Sequence, residues 1–90
     1  MRLVGREKLE HLKDIDPSSR RWIDTWLSEL SRAGWKSKKE IYEQFPKVIN
    51  VSGDVYLFKV EGCDFYIEIM ILFNHLLVLI TSIKDNQNGY

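Results

Sequence analysis

Ninety residues, 44% of them apolar, with thirteen Lys/Arg balanced by thirteen Asp/Glu, make one domain whose core must be dense. This composition excludes a long disordered chain, a disulfide framework, a cysteine–zinc site and nucleic-acid binding by bulk charge. The single cysteine, Cys63, fits a reducing cytoplasm.

The neutral total conceals an asymmetry. Residues 1–50 carry eleven Lys/Arg against eight Asp/Glu, and residues 51–90 carry two against five. No apolar h-region follows Met1, so no signal peptide is expected. Residues 1–4 suit a short edge strand, and residues 6–14 a helix with Leu9 and Leu12 on one face. Asp16-Pro17 marks a boundary, with Asp16 able to cap and Pro17 suited to a first helical position. Residues 18–33 form the strongest helical pattern. Trp22, Ile23, Trp26, Leu27 and Leu30 make one apolar stripe, and Gly34 is the expected left-handed stop. Ser37 with Glu40 reads as a capping box opening a third, shorter helix that Pro46 ends, with Ile41 and Phe45 pointing inward.

From Lys47 the period changes to two. Residues 48–51, 55–60, 65–73 and 76–83 are rich in β-branched and aromatic side chains. Ser52-Gly53-Asp54, Glu61-Gly62-Cys63-Asp64 and Asn74-His75 are the expected turns. The last two strands are apolar on both sides, which suggests central strands covered on both faces. Glu68, Asn74 and His75 interrupt the long apolar run and argue against a membrane span. Residues 84–90 form a polar tail. The architecture expected over residues 1–90 is α+β: N-terminal helices packed on a C-terminal antiparallel sheet of about four strands.

Several chemistries find no support. Five scattered glycines match no phosphate-binding fingerprint. His11 and His75 fall in different elements with no metal-spaced partner, so no metal is expected. Cys63 adjoins Asp64, whose charge disfavours a thiolate nucleophile. Trp22 and Trp26 read as core. A basic cluster is more suggestive: Lys36, Lys38, Lys39 and Lys47 surround the third helix, and Arg20 and Arg21 begin the second. Packed side by side, these elements would offer an RNA backbone a positive rim. The spacings Arg20 to Asp24 and Glu29 to Arg32 equally describe a solvated face of ordinary helical ion pairs. Glu68, between Ile67 and Ile69, must be paired, at a rim or functional, and Lys59 on the neighbouring strand is its expected partner.

Trp26, then Ala33-Gly34-Trp35, Glu40-Ile41, Phe45-Pro46 and the run Val55-Tyr56-Leu57-Phe58-Lys59-Val60-Glu61-Gly62 follow one another in a characteristic order and spacing. In these residues the chain resembles the HigB toxins of the RelE-like superfamily over nearly its whole length. The resemblance implies a RelE-like α+β toxin of a type II toxin–antitoxin pair, partnered by a small helical, DNA-binding antitoxin encoded nearby. It implies cleavage of messenger RNA, usually on the ribosome, without metal or cofactor: the RNA 2′-hydroxyl attacks its own phosphate, helped by a base, an acid and cations.

The chain also departs from the family pattern. Where the family has an arginine after the Gly62 turn, this chain has Tyr66. Where it has a terminal histidine, this chain has Asn86, and Tyr90 lies one position beyond the expected tyrosine. The carried-over expectation is therefore Lys84 and Tyr90 as catalytic groups, with Lys36, Lys38, Lys39, Arg20 and Arg21 binding RNA. The alternative is a catalytically degraded member that only binds its antitoxin or another protein. A third reading is an interaction domain whose apolar sheet edge recruits another chain, a second copy included.

Overall fold

In the computed structural model, which describes residues 1–15 and 17–85, period-two patterning becomes five strands and the helical stripes become one covering layer. The strands are β1 (Arg2–Val4), β2 (Ile49–Ser52), β3 (Val55–Lys59), β4 (Phe65–Leu72) and β5 (Leu77–Asp85). The helices are α1 (Glu7–Ile15), α2 (Arg20–Arg32) and α3 (Lys38–Gln44), with a short 3₁₀ turn, Pro17–Ser19, leading into α2. The fold is α+β as expected, but the sheet is not four antiparallel strands. It has five, ordered β1-β5-β4-β3-β2, and β1 runs parallel to β5. Three N-terminal residues carry no signal for pairing with the far end of the chain, so the mixed topology is a product of tertiary packing.

The core lies between the sheet and the helices. Leu9 and Leu12 of α1, Ile23, Trp26, Leu27 and Leu30 of α2, and Ile41 of α3 meet Tyr56, Phe58, Ile67, Ile69, Ile71, Val78 and Ile80. Aromatic edges organise the α2–α3–β3 corner: Phe58 packs edge-on against Trp26 at 5.3 Å and Phe45 at 5.1 Å, and Trp35 against Phe45 at 6.0 Å. Trp26 is buried as expected. Trp22 stacks on it at 5.9 Å but is only half-buried.

Several local expectations are corrected. Gly34 is not left-handed, because α2 already ends at Ala33 in extended conformation. The Met1 ammonium donates to the carbonyls of Ser31 (3.0 Å) and Ala33 (2.7 Å), giving the negative end of α2 a cation. Ser37 precedes α3 without a side-chain cap, and the Glu40 carboxylate instead accepts from the Lys36 backbone N–H at 2.5 Å. Asp24 bonds Lys13 at 2.5 Å, leaving Arg20 to sit 3.7 Å from Asp14. The capping expectation for Asp16 lies outside the described residues. The β4–β5 turn includes a 3₁₀ turn, Phe73–His75, and Leu76 takes a left-handed φ of 50°. Among the described residues no helix is long and apolar enough to cross a membrane.

Two predictions follow from the core. Gly5 has φ +94°, and a Cβ there would lie 2.4 Å from the Ile80 carbonyl oxygen. Gly5→Ala is expected to destabilise by about 2–3 kcal/mol in urea unfolding, through strain and displacement of β5; an unchanged midpoint would refute this. Tyr56 is fully buried and its hydroxyl has no hydrogen-bond partner among the described residues. Burial, then the nearby Tyr42 and Asp54, push its pKa above the ordinary 10. Above pH 10 the unfolded chain therefore loses a proton that the folded chain keeps, and stability falls as pH rises. Lys13 acts in the same sense: its bond to Asp24 raises its pKa above 10.5, and that contribution is lost on further alkalinisation. Tyr56→Phe is expected to raise stability by about 1 kcal/mol at neutral pH and to shallow the alkaline decline. A destabilised variant would show that the hydroxyl is satisfied.

Candidate active site

All three helices lie on one face of the sheet, so the other face carries a different set of side chains. On β4, Ile67, Ile69 and Ile71 are buried beneath the helices, while Tyr66, Glu68, Met70 and Leu72 alternate onto the open face and are half-buried. The expectation that β4 and β5 are covered on both sides is thus half right: they are central, and among the described residues the helices lie over one face only.

A bulge decides what β5 adds to the open face. Val78 pairs with Ile71 and Ile80 with Ile69, on the helix side. Strict alternation would then send Ser82 and Lys84 to that side too. Instead the register shifts: Ile80 pairs with Ile69, but Ser82 pairs with Glu68, so Thr81 is an extra residue. Beyond it Ile83 joins Ile67 on the core side, and Ser82 and Lys84 face the open side beside Glu68 and Tyr66.

On β3, the Glu61-Gly62-Cys63-Asp64 turn, with Gly62 at φ 89°, closes with the Val60 N–H donating to Phe65 O at 3.0 Å. That register sets Lys59 opposite Tyr66 and Leu57 opposite Glu68. Lys59, Tyr66 and Lys84 therefore stand side by side in one row across three strands. The two lysines are the only Lys/Arg of residues 51–90. Their Cα atoms lie about two strand spacings apart, roughly 10 Å, with Tyr66 between them. Lys59 Nζ lies 5.8 Å from the Tyr66 ring centroid and donates to the carbonyls of Val60 (3.3 Å) and Cys63. Lys84 is half-buried.

The next row holds Glu68. Its expected pairing with Lys59 does not occur, because the turn places Lys59 one row away. Glu68 Oε1 instead accepts from Thr81 Oγ1 at 2.8 Å and Ser82 Oγ at 3.2 Å. The bulge supplies both hydroxyls by packing two β5 residues against one of β4. The open face is thus divided. One end presents Lys59, Tyr66, Lys84 and Glu68, and the other presents Val55, Met70, Leu72, Leu77 and Leu79.

A sequence model of the HigB toxins, the RelE-like toxic component of a toxin–antitoxin system, matches residues 19–85. The chain belongs to the HigB toxin family. The match runs from the end of the 3₁₀ turn through α2, α3 and β2 to the last residue of β5, and membership brings with it an antitoxin partner. A search of curated proteins finds no match. In this HigB-family chain Lys84 belongs to β5 rather than to a polar tail, and it meets Tyr66, which stands where the family resemblance expects an arginine.

The RNA-binding candidates are not in this row. Lys38 Nζ donates to Asn50 Oδ1 at 3.2 Å, fastening α3 to β2. Lys36 and Lys39 are exposed near the start of α3, Arg20 faces Asp14, and Arg21 lies near the Glu61-Gly62 turn. Tyr90 and Asn86 lie outside the described residues. Lys59, Thr81 and Ser82 were not legible as site residues: Lys59 looked like a structural ion-pair partner, and the two hydroxyls reach Glu68 only through the bulge. Among the described residues no group of three or more His, Cys, Asp or Glu stands together as metal ligands.

The bulge makes a prediction. Deleting Thr81 leaves Ile83 and Lys84 on their present faces and is expected to cost about 1 kcal/mol or less in urea unfolding. Exchanging the two residues, Ile83→Lys with Lys84→Ile, puts an ammonium against the core and is expected to cost about 3 kcal/mol. The opposite ranking would mean that β5 alternates without a bulge.

Proposed function

We propose that this chain is the toxin of a type II toxin–antitoxin pair and a metal-independent messenger-RNA endonuclease acting with the ribosome. The observation that carries this reading is the row of Lys59, Tyr66 and Lys84 beside Glu68 on an open sheet face. The only two cations of the C-terminal 40 residues converge there, on either side of a phenol.

The row suits RNA transesterification. A phosphate between the two lysines would have its developing negative charge stabilised from both sides. The Glu68 carboxylate, one oxygen of which is held by Thr81 and Ser82, takes the proton of the attacking 2′-hydroxyl. The oxygen–phosphorus bond forms as the bond to the 5′-oxygen breaks, and the Tyr66 hydroxyl supplies a proton to that leaving oxygen. The products are a 2′,3′-cyclic phosphate and a 5′-hydroxyl end. Exposed Lys36, Lys38, Lys39, Arg20 and Arg21 would then serve the flanking strand or the ribosomal RNA rather than the reacting phosphate.

Tyr66 also motivates the second reading, a degraded member that keeps only antitoxin binding, since a phenol cannot replace the arginine's charge at that position. Expression in a bacterial host, alone and with the neighbouring gene, separates the two. The expected result is growth arrest with new transcript 5′ ends, relieved by the neighbour. Lys84→Ala is expected to lower cleavage by purified protein on ribosomes by about 10²-fold while leaving antitoxin binding intact. Soluble protein that binds its antitoxin yet neither arrests growth nor cleaves RNA would establish the binding module instead.

A further inference from the structure

Beside the end of β3, a half-open cleft of about 470 Å³ opens between α2 and the segment joining α3 to β2. Its walls include the aromatic rings of Trp22, Trp26, Phe45 and Phe58, of which the sequence pattern assigns Trp22 and Trp26 to the core and points Phe45 inward. Trp26 and Phe58 are indeed buried, but Trp22 and Phe45 are only half-buried and border the open space. The polar lining includes Glu29, Gln44 and Lys47. Lys59 also borders the cleft, and so belongs both to it and to the row on the open face.

The geometry points to this cleft as a nucleobase subsite, receiving a guanine of the RNA next to the scissile phosphate. This inference rests on the endonuclease reading and extends it to substrate recognition. Aromatic walls of this kind suit a planar base, which stacks on any exposed ring face. The volume falls within the range of small-ligand sites. Gln44 Oε1 is already engaged, accepting from Trp35 Nε1 at 2.9 Å, so the amide group is oriented with its NH₂ as the remaining donor. Glu29 supplies a carboxylate acceptor. The cleft thus offers a base both an amide donor and a carboxylate acceptor among its lining residues, the two kinds of partner that guanine needs, since its O6 accepts while N1–H and N2–H₂ donate; uracil has only one such N–H, and cytosine and adenine lack the adjacent acceptor–donor–donor edge. Lys47 and Lys59 offset the charges of Glu29 and Glu61, which also lines the cleft, and give the nucleotide's phosphate a cationic neighbour. Because Lys59 borders both places, a base in the cleft and a phosphate in the row can belong to adjoining nucleotides.

The test uses the full chain, tryptophan fluorescence and two probes: guanosine 5′-monophosphate, and a short 2′-O-methyl RNA that lacks the attacking hydroxyl. Guanosine monophosphate is expected to quench fluorescence at concentrations at least about fivefold lower than the cytidine and uridine nucleotides. Trp22→Ala is expected to weaken both probes about tenfold, Trp22→Phe to retain them, and Glu29→Gln to erase the preference for guanine. Thermal melts of each variant confirm folding. Lys84→Ala should lower cleavage by the same roughly 10²-fold and leave guanosine monophosphate binding in place. Cleavage by the parent chain with nucleotide binding indifferent to Trp22 overturns the subsite and keeps the endonuclease. Trp22-dependent guanine binding without cleavage does the reverse. Loss of the antitoxin complex in Trp22→Ala, with nucleotide binding untouched, would assign the cleft to the protein partner and overturn the proposal.

Discussion

A bulge that takes one residue of β5 out of register keeps the right side chains on the open sheet face. The sheet has a dry side, sealed by three helices, and a side left open, and a strand crossing it must send alternate residues to each. With Thr81 counted in register, Ile83 would face outward and Lys84 would be driven into the aliphatic core. The bulge absorbs Thr81, so that Ile83 packs with Ile67 and Lys84 stands beside Tyr66. The same step packs two hydroxyls against Glu68, which gives a half-buried carboxylate hydrogen-bond donors where Leu57 and Met70 are its neighbours. Core integrity and the polar row thus depend on the same local irregularity.

The helix layer makes the contrast between faces possible. Interlocked aromatic edges of Trp26, Phe45 and Phe58 fix α2 and the end of α3 against β3, and the aliphatic residues of β4 and β5 complete the seal. With the core supplied from one side, the opposite face is free to keep lysines, a tyrosine and a glutamate on paired strands. Groups held on rigid strands keep their mutual geometry better than groups on loops.

Much of this was legible in the sequence. The stripe of Trp22, Ile23, Trp26, Leu27 and Leu30 announced α2, and β-branched alternation announced β2 to β5, because each pattern is repeated over several turns or pleats. What was not legible depended on contacts between distant residues. The parallel partner of β1 is 75 positions away in the register of Arg2 with Leu77. The end of α2 looked like a glycine stop, yet the Met1 ammonium occupies its carbonyls. Lys84 was a candidate from the sequence, but its neighbours Lys59 and Tyr66 followed only from hairpin register and bulge. The expected Glu68 to Lys59 pair failed for the same reason, since a turn of four residues moved Lys59 by one row.

The electrostatics of the open face also bear on why the proposed reaction would need the ribosome. Two lysines neutralise about two phosphates, which for a single strand gives a salt slope near −1.4. That is too little charge to hold a free messenger against physiological salt, and Glu68 stands directly beside the row. The net charge of zero adds no long-range attraction. On the proposed reading, then, the row contributes to the transition state more than to substrate capture, and affinity must come from elsewhere. The exposed cations around α3 and the start of α2 are placed off the row, where they can meet a second, larger RNA surface without competing for the reacting phosphate. Such a division fits a toxin that is nearly inert toward free RNA and acts where a ribosome presents the strand, because binding energy supplied by remote contacts is then available to orient the scissile phosphate between Lys59 and Lys84.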